Sequence, residues 1–286
     1  MTPEQLHARL QSWLAAKVPR ASGLVLSPLT KPSIGFSNET LVCYVTYREG
    51  AAERREDLVV RLEPADFQIF PEYDLRGQAR IMQCLAGTDV PVPNVRWIEE
   101  DSAVLGRAFY VMDRIAGEVP SEVPPYHAAG VFATATQTER ESMWWSGIET
   151  LARVGLVELG TGNMEQGGAG NTGHGLAFLG VPPVGIPTVR PQLEYYERML
   201  GWAEEDGEPQ TVLRAAQLWL RENECETERV ALCWGDSRLP NVIYRDGRIV
   251  GVLDWEMAFL GDPEADLAWW LFMDCFASGG YGVSRL

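Results

Sequence analysis

The sequence predicts an α+β fold of two lobes, a small β-rich lobe over residues 1–113 and a larger, mainly helical lobe over residues 114–286. Three observations predict it. Short runs of β-branched and aromatic residues, separated by polar turns, dominate the chain from about Gly23 to Met112. After Asp113 apolar residues recur at helical spacing over long stretches. Towards the C-terminus an apolar run, a polar loop and a hairpin signal follow in order and end on a carboxylate.

Taken in chain order, MTPEQLHARLQSWLAAK reads as an amphipathic helix beginning near Thr2, polar throughout and without a secretory core. Val25–Ser33, Thr40–Tyr47 and Asp57–Leu62 read as strands, with Arg48, Glu49 and Gly50 turning the chain between the last two. A helix is expected from about Glu72 to Ala86, then an extended turn over Asp89–Pro93 and strands near Val95 and Phe109. The lobes should meet near Asp113–Gly117. Beyond them Pro125–Val157, Arg190–Glu204 and Glu208–Glu222 read as helices, and Trp144, Trp145, Ile148, Leu151 and Val154 form one stripe suited to core packing. Gly160–Gly180, rich in Gly, Asn and Thr, reads as a loop. Val230–Cys233 reads as a strand, Arg245–Gly247 as a hairpin turn and Ile249–Leu253 as the strand that follows it. The tail Ala277–Leu286 shows no helical period.

Composition narrows the function. A hydrophobic content of 46% with 22% charged residues is ordinary for a globular protein, and no apolar run reaches the length of a membrane span. The net charge of −16, from 24 basic and 40 acidic residues, argues against nucleic acid and anionic membranes as partners, since both reward clustered Lys and Arg. Five scattered cysteines without a CxxC pair fit reduced thiols and a cytoplasmic protein. Three histidines without ligand spacing make a zinc enzyme improbable, and no GxSxG elbow exists for a triad hydrolase. Oligomeric state is left open.

Two segments carry the chemistry: WGDSRLPN at residues 234–241 and LDWE at residues 253–256. Phosphoryl transfer asks a protein for a carboxylate to orient the attacking hydroxyl and for oxygen ligands that hold magnesium on nucleotide phosphates. Asp236 fits the first role; Asn241, five residues on, and Asp254, at the end of an apolar strand, fit the second. Asp and Asn also crowd into turns for their own backbone hydrogen bonds, so the strand–loop–hairpin context carries the assignment.

The run from Leu232 to Leu271 resembles the aminoglycoside phosphotransferase family, more closely the branch that includes kinase-like domains fused to acyl-CoA dehydrogenases. Gly261, Asp262 and Pro263, then Asp266 and Leu267, match its GDPxxDLA signature, and similar features run from about Ser33 onwards. The resemblance implies a protein-kinase-like bilobal fold, ATP and magnesium as cofactors, with GTP left open, and a small-molecule hydroxyl as acceptor. It also implies that Asp266 buttresses the catalytic loop from the start of a helix.

On the nucleotide side the family covers the phosphates with a turn between the first strands, here Ser33–Asn38, in which Gly35, Ser37 and Asn38 would approach phosphate oxygens. An ordinary hairpin turn would use the same residues. Protein kinases carry a phosphate-binding Lys on the third strand; this chain has Arg61, a fixed fork instead of a point charge. Where a helical Glu usually holds that cation the alignment brings Gln78, with Asp74 four residues earlier on the same face. Backbone groups of Tyr110–Asp113, Met112 among them, would read the base.

On the catalytic side Arg238 stands where protein kinases place a Lys near the γ-phosphate, so it would neutralise charge on the transferred group. Trp234 replaces the family's usual His, and the hydrogen bond of that His to the metal loop is expected to be absent, with packing in its place. Family members commonly continue through further helices, so a C-terminally shortened chain or an open acceptor cleft is expected. That leaves a nucleotide-binding pseudokinase module as an alternative to an enzyme. Among acceptors a metabolite alcohol ranks above an aminoglycoside, because Leu85–Pro93 and Met112–Gly117 resemble the metabolic branch. Protein acceptors rank last, since no activation segment separates Asp254 from Gly261.

Overall fold

The computed structural model describes residues 1–32, 39–64, 70–71, 73–159, 175–182, 189–205, 207–225 and 229–280. Helix α1 (Pro3–Lys17) begins with a capping box in which Thr2 and Gln5 satisfy each other's backbone N–H groups. Strands β1 (Ser22–Leu26), β2 (Glu39–Glu49) and β3 (Ala52–Leu62) follow, then α2 (Leu75–Leu85), β4 (Val95–Glu99), the single turn α3 (Ser102–Leu105) and β5 (Phe109–Asp113). These strands form one sheet in the order β1-β2-β3-β5-β4, antiparallel throughout.

The two-residue period of the strands decides what each face of this sheet does. Leu58, Val60 and Leu62 of β3, with Phe109 and Val111 of β5, are buried under Leu10 and Leu14 of α1. The intervening residues, Val59, Tyr110 and Met112, join a second core that runs from α2 into the C-terminal half of the chain. Arg61, opposite Tyr110 in the ladder, lies on this second face. Alternation alone therefore turns a cation towards the helical part of the molecule.

That part comprises α4 (Gly130–Thr134), α5 (Gln137–Gly155), α6 (Arg190–Glu204) and α7 (Thr211–Glu222). They are followed by β6 (Ala231–Cys233), β7 (Val242–Arg245), β8 (Arg248–Val252), β9 (Phe259–Gly261) and α8 (Glu264–Gly280). Strands β7 and β8 close on Asp246 and Gly247, at φ 52° and 72°, the left-handed pair that a two-residue hairpin turn requires. Among the described residues no helix is long and apolar enough to cross a membrane.

Several expectations shift. The first strand covers Ser22–Leu26 rather than Val25–Ser33, because Pro28 has no N–H to give a ladder; pairing resumes only as a single bridge between Thr30 and Val42. The helix expected over Pro125–Val157 is broken, and α5 starts afresh where Thr136 and Glu139 form a capping box. Helix α8 continues through Ala277 to Gly280, where no helix was expected; residues 281–286 lie outside the described residues, as do residues 160–174 of the expected loop.

Helices α5 and α8 meet at Gly147, where an added Cβ would come within 2.1 Å of Cζ2 of the buried Trp270 ring. Gly147→Ala should therefore lower stability by about 1–2 kcal/mol, overpacking outweighing the better helix propensity of Ala. Urea denaturation midpoints check this, and an unchanged or raised midpoint would contradict the packing described.

Candidate active site

The loop after β6 is shaped by one close approach. Gly235 has φ 87°, and a Cβ there would stand 2.0 Å from the carbonyl oxygen of Met257. Only glycine fits such a place. The turn aims two successive backbone N–H groups inward, and Asp266 receives both: Trp234 N–H donates to Oδ2 at 2.6 Å and Gly235 N–H to Oδ1 at 2.8 Å. The Ser237 hydroxyl donates to the Asp266 carbonyl at 2.7 Å. Burial pushes the Asp266 carboxyl up to about 6, against the pull of the Trp234 and Gly235 N–H groups and of Ser237. The group is thus ionised at neutral pH, as a double acceptor must be. Asp266 buttresses the loop, as the resemblance implies.

Trp234, fully buried, corrects one expectation. Its indole N–H donates to the carbonyls of Leu253 at 2.8 Å and Asp254 at 3.1 Å. A hydrogen bond to the expected metal loop is therefore present, supplied by indole where imidazole was expected to be missed. Asp254 adopts φ 60°, uncommon for a residue with a Cβ, and the indole N–H holds its carbonyl there. The Leu253 N–H in turn donates to the carbonyl of Asn241 at 2.9 Å. Asn241 and Asp254 are in this way tied together through one intervening residue.

Asp236 is 9% exposed and receives three side-chain donors. Arg238 Nε at 2.9 Å and Asn241 Nδ2 at 2.7 Å share Oδ2; Trp269 Nε1 reaches Oδ1 at 3.0 Å. Asn241 Nδ2 also donates to the Asp236 carbonyl at 3.1 Å, so the amide oxygen is what Asn241 can offer a cation. Arg238 Nη1 donates to Glu122. Burial alone would lower the Arg238 pKa, but Asp236 and Glu122 hold it above its ordinary value. Its charge is thus shared between two carboxylates, where the expected role was a cation free to face a phosphoryl group.

From the sheet, Arg61 Nη2 donates to Asp254 Oδ1 at 3.0 Å. Burial works against the guanidinium charge, and Asp254, Tyr110 and Glu256 overcome it, holding the Arg61 pKa above its ordinary value. Asp74, one candidate to orient Arg61, instead caps α2, its Oδ1 accepting from Gly77 N–H at 2.7 Å. Gln78 is buried on α2, and neither its Oε1 nor Arg61 Nε has a hydrogen-bond partner among the described residues. Met112 lies buried inside β5, paired with Val59 on one side and Val95 on the other. The backbone groups of Tyr110–Asp113 are thus within a doubly paired strand. Gly35, Ser37 and Asn38 lie outside the described residues.

The donor set suits a hard cation with phosphates. Among the described residues no group of three or more His, Cys, Asp or Glu could hold a metal. Asp254 and the Asn241 amide oxygen make a pair of oxygen ligands, and magnesium characteristically takes one or two protein carboxylates with substrate phosphates and water. An orphaned buried N–H on Arg61 beside them fits a phosphate oxygen.

The model of the phosphotransferase enzyme family matches residues 29–280. The chain belongs to that family. By sequence it is similar to mouse acyl-CoA dehydrogenase family member 10, 28% identical over 226 residues, which cover 78% of this chain and 19% of that protein. Human family member 11 is 22% identical over 82% of this chain and 28% of its own length. The chain thus spans less than a third of the length of these relatives. By fold it is similar to a Ralstonia eutropha JMP134 protein assigned to the aminoglycoside phosphotransferases. That match has TM-score 0.64 and 23% identity, over 97% of this chain and 73% of the other. The aminoglycoside phosphotransferase APH(4)-Ia, solved in ternary complex with ADP and hygromycin B, gives TM-score 0.55 and 18% identity over 93% and 77%. The fold is therefore the kinase-like α+β fold that the resemblance implies.

Two contributors to the site were not read from the sequence. Glu122, the partner of Arg238, carries no local signal. Trp269 carries one: it follows Asp266 by three residues in α8, hence lies one turn on along the same face.

The raised Asp266 pKa makes a signed prediction. A carboxyl whose pKa is higher folded than unfolded contributes stability present below its ordinary value of 3.8 and lost as pH rises through about 6. Asp266→Asn removes that titration and one of the two acceptors. Wild type should exceed the variant in stability, and the margin should shrink by about 1 kcal/mol between pH 5 and pH 7.5. Urea unfolding at the two pH values measures it; a margin that grows would contradict the assignment.

Proposed function

We propose that the protein is an ATP- and magnesium-dependent phosphotransferase that moves the γ-phosphoryl group to a hydroxyl of a small molecule, with Asp236 as base. The observation that carries this reading is the meeting of Asp236, Asn241, Asp254 and Arg61, drawn from three separate segments, at one place. Arg61 offers phosphate oxygens a buried guanidinium, and Asn241 and Asp254 would hold the metal. Bound between them, magnesium would supply positive charge against the phosphates. Asp236 accepts the proton of the acceptor hydroxyl as that oxygen attacks the γ-phosphorus and the bond to the ADP oxygen breaks. Arg238, anchored by Glu122, and Asn241 keep the carboxylate oriented for that step.

The acceptor belongs to small-molecule alcohols, with a metabolite preferred to an aminoglycoside; the sequence relatives among acyl-CoA dehydrogenase family members support that order. A reaction that draws on ATP, together with free cysteines, suits the cytoplasm.

Asp236→Asn should lower ADP release by two or more orders of magnitude while nucleotide still binds. Asp254→Ala should remove the magnesium dependence of nucleotide binding. Turnover assays and titration calorimetry with and without magnesium decide both, and wild-type behaviour of either variant would sink the assignment.

A further inference from the structure

The three donors to Asp236 are not equivalent. Two of them, Arg238 and Asn241, belong to the same loop as Asp236 and both take Oδ2. A carboxylate oxygen has two lone-pair positions, so Oδ2 is filled. Oδ1 holds only the Trp269 indole N–H and keeps one position open. Trp269 comes from α8, whose first turn carries Asp266, the carboxylate that holds the loop. It is 36% exposed, whereas Asp236 and Asn241 are buried, and its ring stacks on Phe272 at 5.5 Å between centroids and 26° between planes. The indole thus stands at the mouth of the site with its N–H turned inward to the base.

We propose that Trp269 is a positioning residue for phosphoryl transfer: its indole N–H holds Asp236 so that Oδ1 is the single carboxylate oxygen presented to the attacking hydroxyl. The inference rests on the reading of Asp236 as base. Without the indole bond the carboxylate keeps both donors on Oδ2 and is free to tilt about them. The oxygen that must take the proton loses its fixed direction. Nucleotide contacts, made from Arg61, Asn241 and Asp254, are untouched by this change. The consequence is a loss confined to turnover.

The test uses the full chain with magnesium–ATP alone, water serving as acceptor, and reads ADP release. Trp269→Phe keeps an aromatic ring against Phe272 and removes the donor; Trp269→His restores a ring N–H. The expected result is a kcat lowered roughly tenfold or more in Trp269→Phe, the worth of one hydrogen bond to a charged group. KM for magnesium–ATP and the melting temperature should stay at wild-type values, and Trp269→His should recover part of kcat. If Asp236→Asn is inactive while Trp269→Phe turns over like wild type, the inference is overturned and the base assignment stands. If KM rises and the melting temperature falls together with kcat, the residue is structural and the inference is equally overturned. If Asp236→Asn itself hydrolyses ATP like wild type, the base assignment fails and the role of Trp269 fails with it.

Discussion

The N–H groups of Trp234 and Gly235 point together into the interior, and the arrangement around them depends on the one carboxylate that receives both. A neutral amide could accept only one of the pair and would set its own N–H groups against the other. Asp266 accepts both because it is ionised at neutral pH, burial raising its pKa only to about 6 against the pull of those N–H groups. With the turn fixed, the Trp234 indole is aimed at the carbonyls of Leu253 and Asp254, and Asp254 is held in its left-handed conformation. Strain at Asp254 is thus stored against a buried tryptophan, which orients the carboxylate towards the sheet.

The link from the sheet is a consequence of strand alternation. Arg61 falls between Val60 and Leu62, both fully buried beneath α1, so its side chain must leave by the opposite face. There the core is continuous with that of the C-terminal half, and a lone guanidinium would be costly in it. Asp254 meets that cost. In the proposed reading an anionic phosphate would offer the guanidinium a second complement of the same sign, so Arg61 would not be left as an unpaired buried charge.

Local signals made much of this legible. The strand period, the Asp246-Gly247 turn and the spacing of Asp236, Asn241 and Asp254 are all short-range, and the structure brings their residues together as expected. Asp74 was read inside the expected Glu72–Ala86 helix, on the face of Gln78; the structure starts α2 at Leu75 and uses Asp74 as its cap. The capping box at Thr136 was hidden because Pro125–Val157 was read as one continuous helix. Helix α8 escaped detection at its end for the opposite reason. Its apolar residues stand on several faces, with Leu267, Leu271 and Phe276 exposed and Trp270 buried, so no single period marks it. Trp234 was misread because a sequence names the side chain but not the direction of its N–H.

The two sides of the site differ in how they are encoded. The donor side is assembled from residues 234–254 and one strand residue, joined by bonds whose partners the backbone fixes. In the proposed reading the acceptor side is bordered by helices. Trp269 of α8 touches Asp236, and Tyr196 of α6 feels its charge: burial pushes the Tyr196 hydroxyl up to about 12, with Tyr195 and Asp236 adding to the rise. Helix surfaces can change residue by residue without disturbing the loop beneath them, since the loop is held by Asp266 and Trp234 from below. In the proposed reading a short motif carries the phosphoryl donor chemistry, and the acceptor is left to helix surfaces that no motif constrains. Trp269 is where the two meet, its N–H serving the first side and its exposed ring facing the second.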